Sequence, residues 1–295
     1  MASGYRGKRG IAVVPTLLTL GNAFCGFLAM SKMVDAMAAG GGEAYADKTT
    51  QAAWLIFLAM IFDALDGRVA RLTNQSSEFG VQLDSLTDIV SFGVAPALLA
   101  KVVYEQALTA AGITYSVKLP LLLCSLYVVC AVLRLARFSL ITDTEEESHV
   151  SFTGLPTPAA AGMLASSVFF FNEGGSSLGL AMGDQTVLVM KRIFIFIPPI
   201  LGLLMITRVQ YVHMVNRYVR GRKTFNFLAL GLVCLFLVAF CHDWVILLVF
   251  TAYAFSGPVL AGVNVLKGKG RKAPARSAGI EKTGGEAAPG DEPKT

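Results

Sequence analysis

Apolar residues in this chain come in long runs rather than in alternation. Runs of about 17–25 residues suit helices that cross a bilayer, and they fall near 12–34, 51–70, 82–104, 119–139, 157–173, 193–211, 225–241 and 243–266. The pattern predicts an all-α integral membrane protein of about eight transmembrane helices, since a lipid-buried backbone must satisfy its own hydrogen bonds. The turn around His242 and Asp243 is very short and the fifth run is brief, so seven spans are the alternative. The organisation expected is a cytoplasmic segment 1–11, one membrane domain 12–266 and a tail 267–295. The tail is rich in Gly, Pro, Ala, Lys and Glu and cannot bury a core, so it is expected to be disordered. Arg6 to Arg9, an apolar run and Ala36-Met37-Ala38 imitate a secretory signal, but the run exceeds a signal's apolar core of about 7–15 residues and reads as a retained first helix.

Acidic charges cluster against the pattern between the second and third runs. From Asp63 to Asp88 the chain reads D-x-x-D-G-x-x-A-R, then eight residues, then G-x-x-x-D-x-x-x-D. Asp63, Asp66, Gly67 and Ala70 follow i, i+3, i+4, i+7 on one helical face, and Gly80, Asp84 and Asp88 follow i, i+4, i+8 on another. Each intramembrane carboxylate costs about 2.5–3.5 kcal/mol on insertion scales and is retained chiefly for function. Hard oxygen donors without histidine or thiolate favour Mg²⁺ or Mn²⁺, and two divalent ions would offset the four charges. A pair of such ions can stabilise the attacking and leaving oxygens of a phosphoryl displacement, and Arg71 could bind a phosphate oxygen. The bland alternative is four aspartates paired with Arg68 and Arg71 or capping helix ends.

Composition refines this picture. The 295 residues are 54% hydrophobic and 15% charged, with a net charge of +5. Most of the 25 Lys and Arg fall on one side if the N-terminus is cytoplasmic, which puts the aspartates at the cytoplasmic face. The positive charge then points to anionic lipid headgroups; no basic patch interleaved with aromatics indicates nucleic acid. Cys25, Cys124, Cys130, Cys234 and Cys241 lack C-x-x-C spacing and read as small buried apolar residues. His149, His213 and His242 stand apart from each other and from the aspartates.

Asp63, Asp66, Gly67, Ala70, Arg71, Gly80, Asp84 and Asp88 together resemble the signature of the CDP-alcohol phosphotransferase family of integral membrane enzymes. The resemblance implies a six-helix core with extra C-terminal helices, a homodimer, and a site for two divalent cations. Asp63 and Asp84 would bridge the ions, Asp66 would complete one site and Asp88 the other, with Asp88 also the general base. Gly67, Ala70, Arg71, Ser77 and Gly80 would lie against the CDP moiety, with Thr19 and Asn22 as weaker candidates.

Leu133-Arg134-Leu135-Ala136-Arg137-Phe138 and Phe152-Thr153-Gly154-Leu155-Pro156-Thr157-Pro158, with Pro15 to Phe27, are similar to the membrane-integral phosphatidylserine synthase branch of that family. This implies transfer of a phosphatidyl group from CDP-diacylglycerol to L-serine at the bacterial inner membrane, with the site facing the cytoplasm. Arg134 and Arg137, expected to end the fourth helix on that side, could hold the serine carboxylate or a nucleotide phosphate; simple positive-inside anchoring is the alternative. Glycerol 3-phosphate or inositol phosphate are rival acceptors. A divalent-cation transporter is the rival of another class, although its carboxylates should spread toward the midplane.

Overall fold

The computed structural model describes residues 13–73, 78–142, 154–173, 183–207, 209 and 242–266, and among these all regular structure is helical. The helices are α1 (Val13–Ala39), α2 (Gly42–Leu72), α3 (Glu78–Asp88), α4 (Ala95–Ala110), α5 (Lys118–Thr142), α6 (Thr157–Glu173), α7 (Asp184–Ile193), α8 (Ile197–Ile206) and α9 (His242–Leu266). Seven of the expected spans coincide with helical segments, and 225–241 lies outside the described residues. Among the described residues, four segments are long and apolar enough by themselves to cross a membrane: Val13–Ala39, Phe79–Ala110, Lys118–Arg137 and Gln185–Ile206.

The burial pattern is that of a bundle set in an apolar medium. On α1 the buried residues Thr19, Asn22, Cys25, Gly26, Ala29, Met33 and Ala36 recur at helical spacing, while Leu17, Phe24, Phe27 and Val34 are exposed. Small or polar residues therefore face protein and large apolar ones face outward, as expected where lipid competes equally well for apolar surface. Gly40 and Gly42, with φ of +73° and +71°, turn α1 directly into α2. No breaker stands between that turn and the apolar run, so α2 begins well before the span read from hydropathy.

The third span is not a regular helix. Between α3 and α4 the segment Ile89–Val94 winds as a π-helix, in which the Ala95 N–H bonds the Val90 carbonyl. Pro96 cannot donate to the Phe92 carbonyl four residues earlier. The buried Tyr127 hydroxyl of α5 donates to that carbonyl instead, at 2.9 Å. Thr87 and Ser91 return their hydroxyls to the carbonyls of Asp84 and Thr87 at 2.9 and 3.0 Å. The π-turn thus begins immediately after Asp88 and is held by α5.

The same turn is touched from the other side by α1. A Cβ added at Gly26 would stand 2.8 Å from the Ser91 Cα, so only glycine lets the two backbones approach so closely. A second glycine requirement lies before α6, where Gly154 has φ +91° and an added Cβ would strike the Met205 carbonyl. The Gly154 and Leu155 N–H groups donate to the carbonyls of Val209 and Leu204 at 2.8 and 3.1 Å, pinning the entry to α6 on the end of α8.

Tyr127→Phe, which strips the Phe92 carbonyl of its donor in a fully buried position, should destabilise the protein by about 1–3 kcal/mol. Thermal unfolding in detergent, compared with the exposed-surface control Leu126→Met, measures it.

Candidate metal and phosphoryl-transfer site

The aspartates converge because α2 and α3 bring their two carboxylate-bearing faces together beside α1. One oxygen from each of Asp63, Asp66 and Asp84 lies within 4.8 Å of the other two. Asp66 is 5% exposed, and its Oδ2 and the Asp84 Oδ1 are sequestered without any hydrogen-bond partner. Buried carboxylate oxygens without donors are costly unless something else compensates them. Arg68, one of the cations the bland reading needs, is exposed on a different face of α2 and lines an apolar groove. A trio of hard, crowded oxygens fits a divalent cation, and the orphaned atoms are where its bonds would go.

Asp88 stands apart from the trio. It is 8% exposed, and its Oδ1 accepts from the Asn22 Nδ2 at 3.1 Å, with the carboxylates of Asp63, Asp84 and Asp66 in electrostatic range. Asn22 Oδ1 is itself buried without a partner. Thr19, one turn before Asn22, gives its hydroxyl proton to the Pro15 carbonyl at 3.0 Å and lies beside the Asp66 carboxylate. Both polar residues of α1 singled out from the sequence therefore face the aspartates.

Gly67 and Ala70 share the aspartate face of α2 as their spacing requires. A Cβ at Gly67 would meet nothing within 4 Å, so the face beside Asp63 and Asp66 opens onto free space. Arg71 lies in the last turn of α2 and Gly80 in the first turn of α3, whereas Ser77 lies outside the described residues.

The arginines of α5 behave differently from each other. The helix runs on to Thr142, so neither Arg134 nor Arg137 ends it; no glycine or proline interrupts the sequence there. Arg137 is exposed. Arg134 is partly buried, donates from Nη1 to the Thr157 Oγ1 at 2.9 Å, and lies in electrostatic range of Asp88. Its Nε is buried with no partner.

Several participants were not recognisable in advance. Tyr253 of α9 lies in electrostatic range of Arg134, yet in the sequence it is one aromatic residue inside an apolar run. Thr157 was visible only as part of a turn. A groove of about 430 Å³ between α2 and α9, lined by Trp54, Phe57, Leu65, Ile246 and Phe250 and ending at Arg68, depends on two helices distant in sequence.

Residues 12–198 match the family described as CDP-alcohol phosphatidyltransferase. The chain belongs to this family. It is 36% identical over 160 residues to CDP-diacylglycerol–serine O-phosphatidyltransferase of Helicobacter pylori, covering 54% of this chain and 60% of that one. It is 34% identical over 188 residues to the protein of the same name from Methanocaldococcus jannaschii, covering 64% and 74%. An archaetidylserine synthase from Methanothermobacter thermautotrophicus is 37% identical over 155 residues, covering 52% and 56%. The match thus spans about three fifths of the length of the H. pylori relative. For a CDP-alcohol phosphatidyltransferase the exposed apolar helix faces are expected, because members of the family are integral membrane proteins, as the sequence resemblance implied.

Manganese titration followed by electron paramagnetic resonance should show saturable binding to the purified protein. Asp63→Asn or Asp84→Asn should weaken it at least about tenfold, since each removes a charged donor from the trio. Asp35→Asn, at an exposed position on α1, should leave it unchanged.

Proposed function

We propose that this chain transfers the phosphatidyl group of CDP-diacylglycerol to the hydroxyl of L-serine, forming phosphatidylserine and releasing CMP. The observation that carries the reading is the pairing of a donor-starved carboxylate trio with open space at Gly67 on one side and Asp88 with Arg134 on the other. The relatives' names support serine as acceptor.

In this reading Asp63, Asp66 and Asp84 would hold two divalent cations, Mg²⁺ or Mn²⁺, with Asp88 reaching the second. Bound there, such ions neutralise the aspartates and stabilise negative charge on the phosphoryl oxygens. Gly67 and Ala70 leave room for the nucleotide, Thr19 and Asn22 border the same space from α1, and the family signature would add Arg71, Ser77 and Gly80 as further nucleotide contacts. The serine oxygen forms its bond to the β-phosphorus of CDP-diacylglycerol as the bond from that phosphorus to the CMP oxygen breaks. Asp88 takes the hydroxyl proton. Its separation from the trio and its bond to Asn22 favour this part of its work, because a base must be fixed within reach of the proton it removes. Arg134 is the better placed of the two arginines to hold the serine carboxylate. The apolar groove ending at Arg68 supports a lipid reactant.

The proposal extends to setting. The positive-inside distribution supports a cytoplasm-facing site in the inner membrane, with 12–266 as the catalytic domain, 267–295 as a cytoplasmic tail, and a homodimer as the working form.

The test is CMP release by purified protein with CDP-diacylglycerol and, separately, serine, glycerol 3-phosphate and inositol phosphate. Serine-dependent release is expected, and release with either phosphate-bearing acceptor but not with serine would overturn the acceptor assignment. Asp84→Asn should abolish turnover while leaving the protein folded. Gly67→Leu, filling the free space beside the trio, should weaken apparent affinity for CDP-diacylglycerol while Mn²⁺ binding persists.

A further inference from the structure

The Arg134 guanidinium sits in an unusual state for a cation inside an apolar bundle. One of its nitrogens is bonded to a neutral hydroxyl, another is buried with no partner, and Asp88 lies in electrostatic range. A guanidinium carries five donors in a fixed plane, so fixing one of them orients the rest. The fixing group is Thr157 Oγ1, at 2.9 Å. Thr157 is 1% exposed and occupies the first turn of α6. Its backbone is anchored just upstream, where Gly154 and Leu155 donate to the carbonyls of Val209 and Leu204. The hydroxyl is thus a rigid point, and the arginine is the long, rotatable partner.

We infer that Thr157 is a positioning residue for the acceptor: it turns the Arg134 guanidinium so that the remaining donors present a preformed fork to the carboxylate of an amino acid whose hydroxyl is directed toward Asp88. This rests on the proposed reading of the site. Without the hydroxyl, the arginine retains its charge but samples several rotamers, and part of each binding event is spent on ordering it. The nucleotide lies against α2 and α3 and makes no use of this bond. Loss of the hydroxyl should therefore appear in the acceptor's constant and not in that of the nucleotide lipid.

The experiment uses the full-length protein in detergent or vesicles, with CMP release measured while serine and CDP-diacylglycerol are varied separately. Thr157→Val keeps the shape and removes the acceptor atom. It should raise the apparent KM for serine about tenfold, the scale of one charge-assisted hydrogen bond, with kcat and the KM for CDP-diacylglycerol changed less than about twofold. Thr157→Ser, which restores the oxygen, should recover most of the loss. Added to Arg134→Lys, Thr157→Val should raise the serine KM no further than about twofold, because residues that act through one another are not additive. A normal serine KM in Thr157→Val, equal effects on both substrates, or full additivity with Arg134→Lys would overturn the positioning role. Absence of serine-dependent CMP release in the unmodified protein would overturn the functional reading itself, and is read before any variant.

Discussion

Burying carboxylates without donors is the constraint around which the aspartate-bearing end of this bundle is arranged. Asp66 and Asp88 are almost fully enclosed, and Asp63 and Asp84 crowd against Asp66. Their mutual repulsion in an apolar surrounding opposes folding, and the protein answers it only in part. Asn22 donates to Asp88, while Asp66 Oδ2 and Asp84 Oδ1 have no partner. Such a site is stabilised when a cation arrives, so ion binding and local order are coupled. The surrounding elements are correspondingly firm: Gly26 lets α1 press on the segment after Asp88, and Tyr127 ties that segment to α5.

The sequence revealed whatever depends on local periodicity. Hydropathy located α1, α2, α5, α6, α8 and α9, and α3 with α4 as a single run, because a span must be both long and apolar; α7 falls before the run read at 193–211. The aspartates' shared faces followed from residue spacing on ideal helices, and the structure brings three of them together. Nonlocal features were hidden. Nothing in the residues 89–94 says that they leave α-helical geometry; that choice is made by Pro96 together with a tyrosine 35 residues from the carbonyl it bonds. The difference between Arg134 and Arg137 was likewise invisible, since both are arginines on the same helix and only the position of α6 distinguishes them. Helix ends were also misplaced where no breaker marked them, at the start of α2 and the end of α5.

The two halves of the site are supported in different ways. The carboxylate half rests on α1, α2 and α3, which are neighbours in sequence, the first two joined by a glycine turn. The arginine half depends on α5, on the first turn of α6 and, through the Gly154 and Leu155 backbone, on the end of α8. The family match reaches residue 198, so it covers the carboxylate half together with α5 and the first turn of α6, while the end of α8 at Leu204 and Val209 and all of α9 lie beyond it. Tyr253 and the α9 wall of the apolar groove are thus contributed by a part of the chain outside the family match.

The π-turn has a further consequence for how the chain can change length. A helix advances about 100° per residue. A π-turn takes up one residue more than an α-turn, so removing one residue from Ile89–Val94 and relaxing the segment to ordinary α-helix would leave Asp84 and Asp88 at nearly the same angle to the buried face of α4, whereas winding the unshortened segment as α-helix would swing them through about that angle. The residue count of this stretch and its wide winding therefore belong together: one cannot change alone without turning the aspartates away. In phase terms the turn is a splice that keeps two helical faces in register, one carrying the chemistry and the other buried in the core.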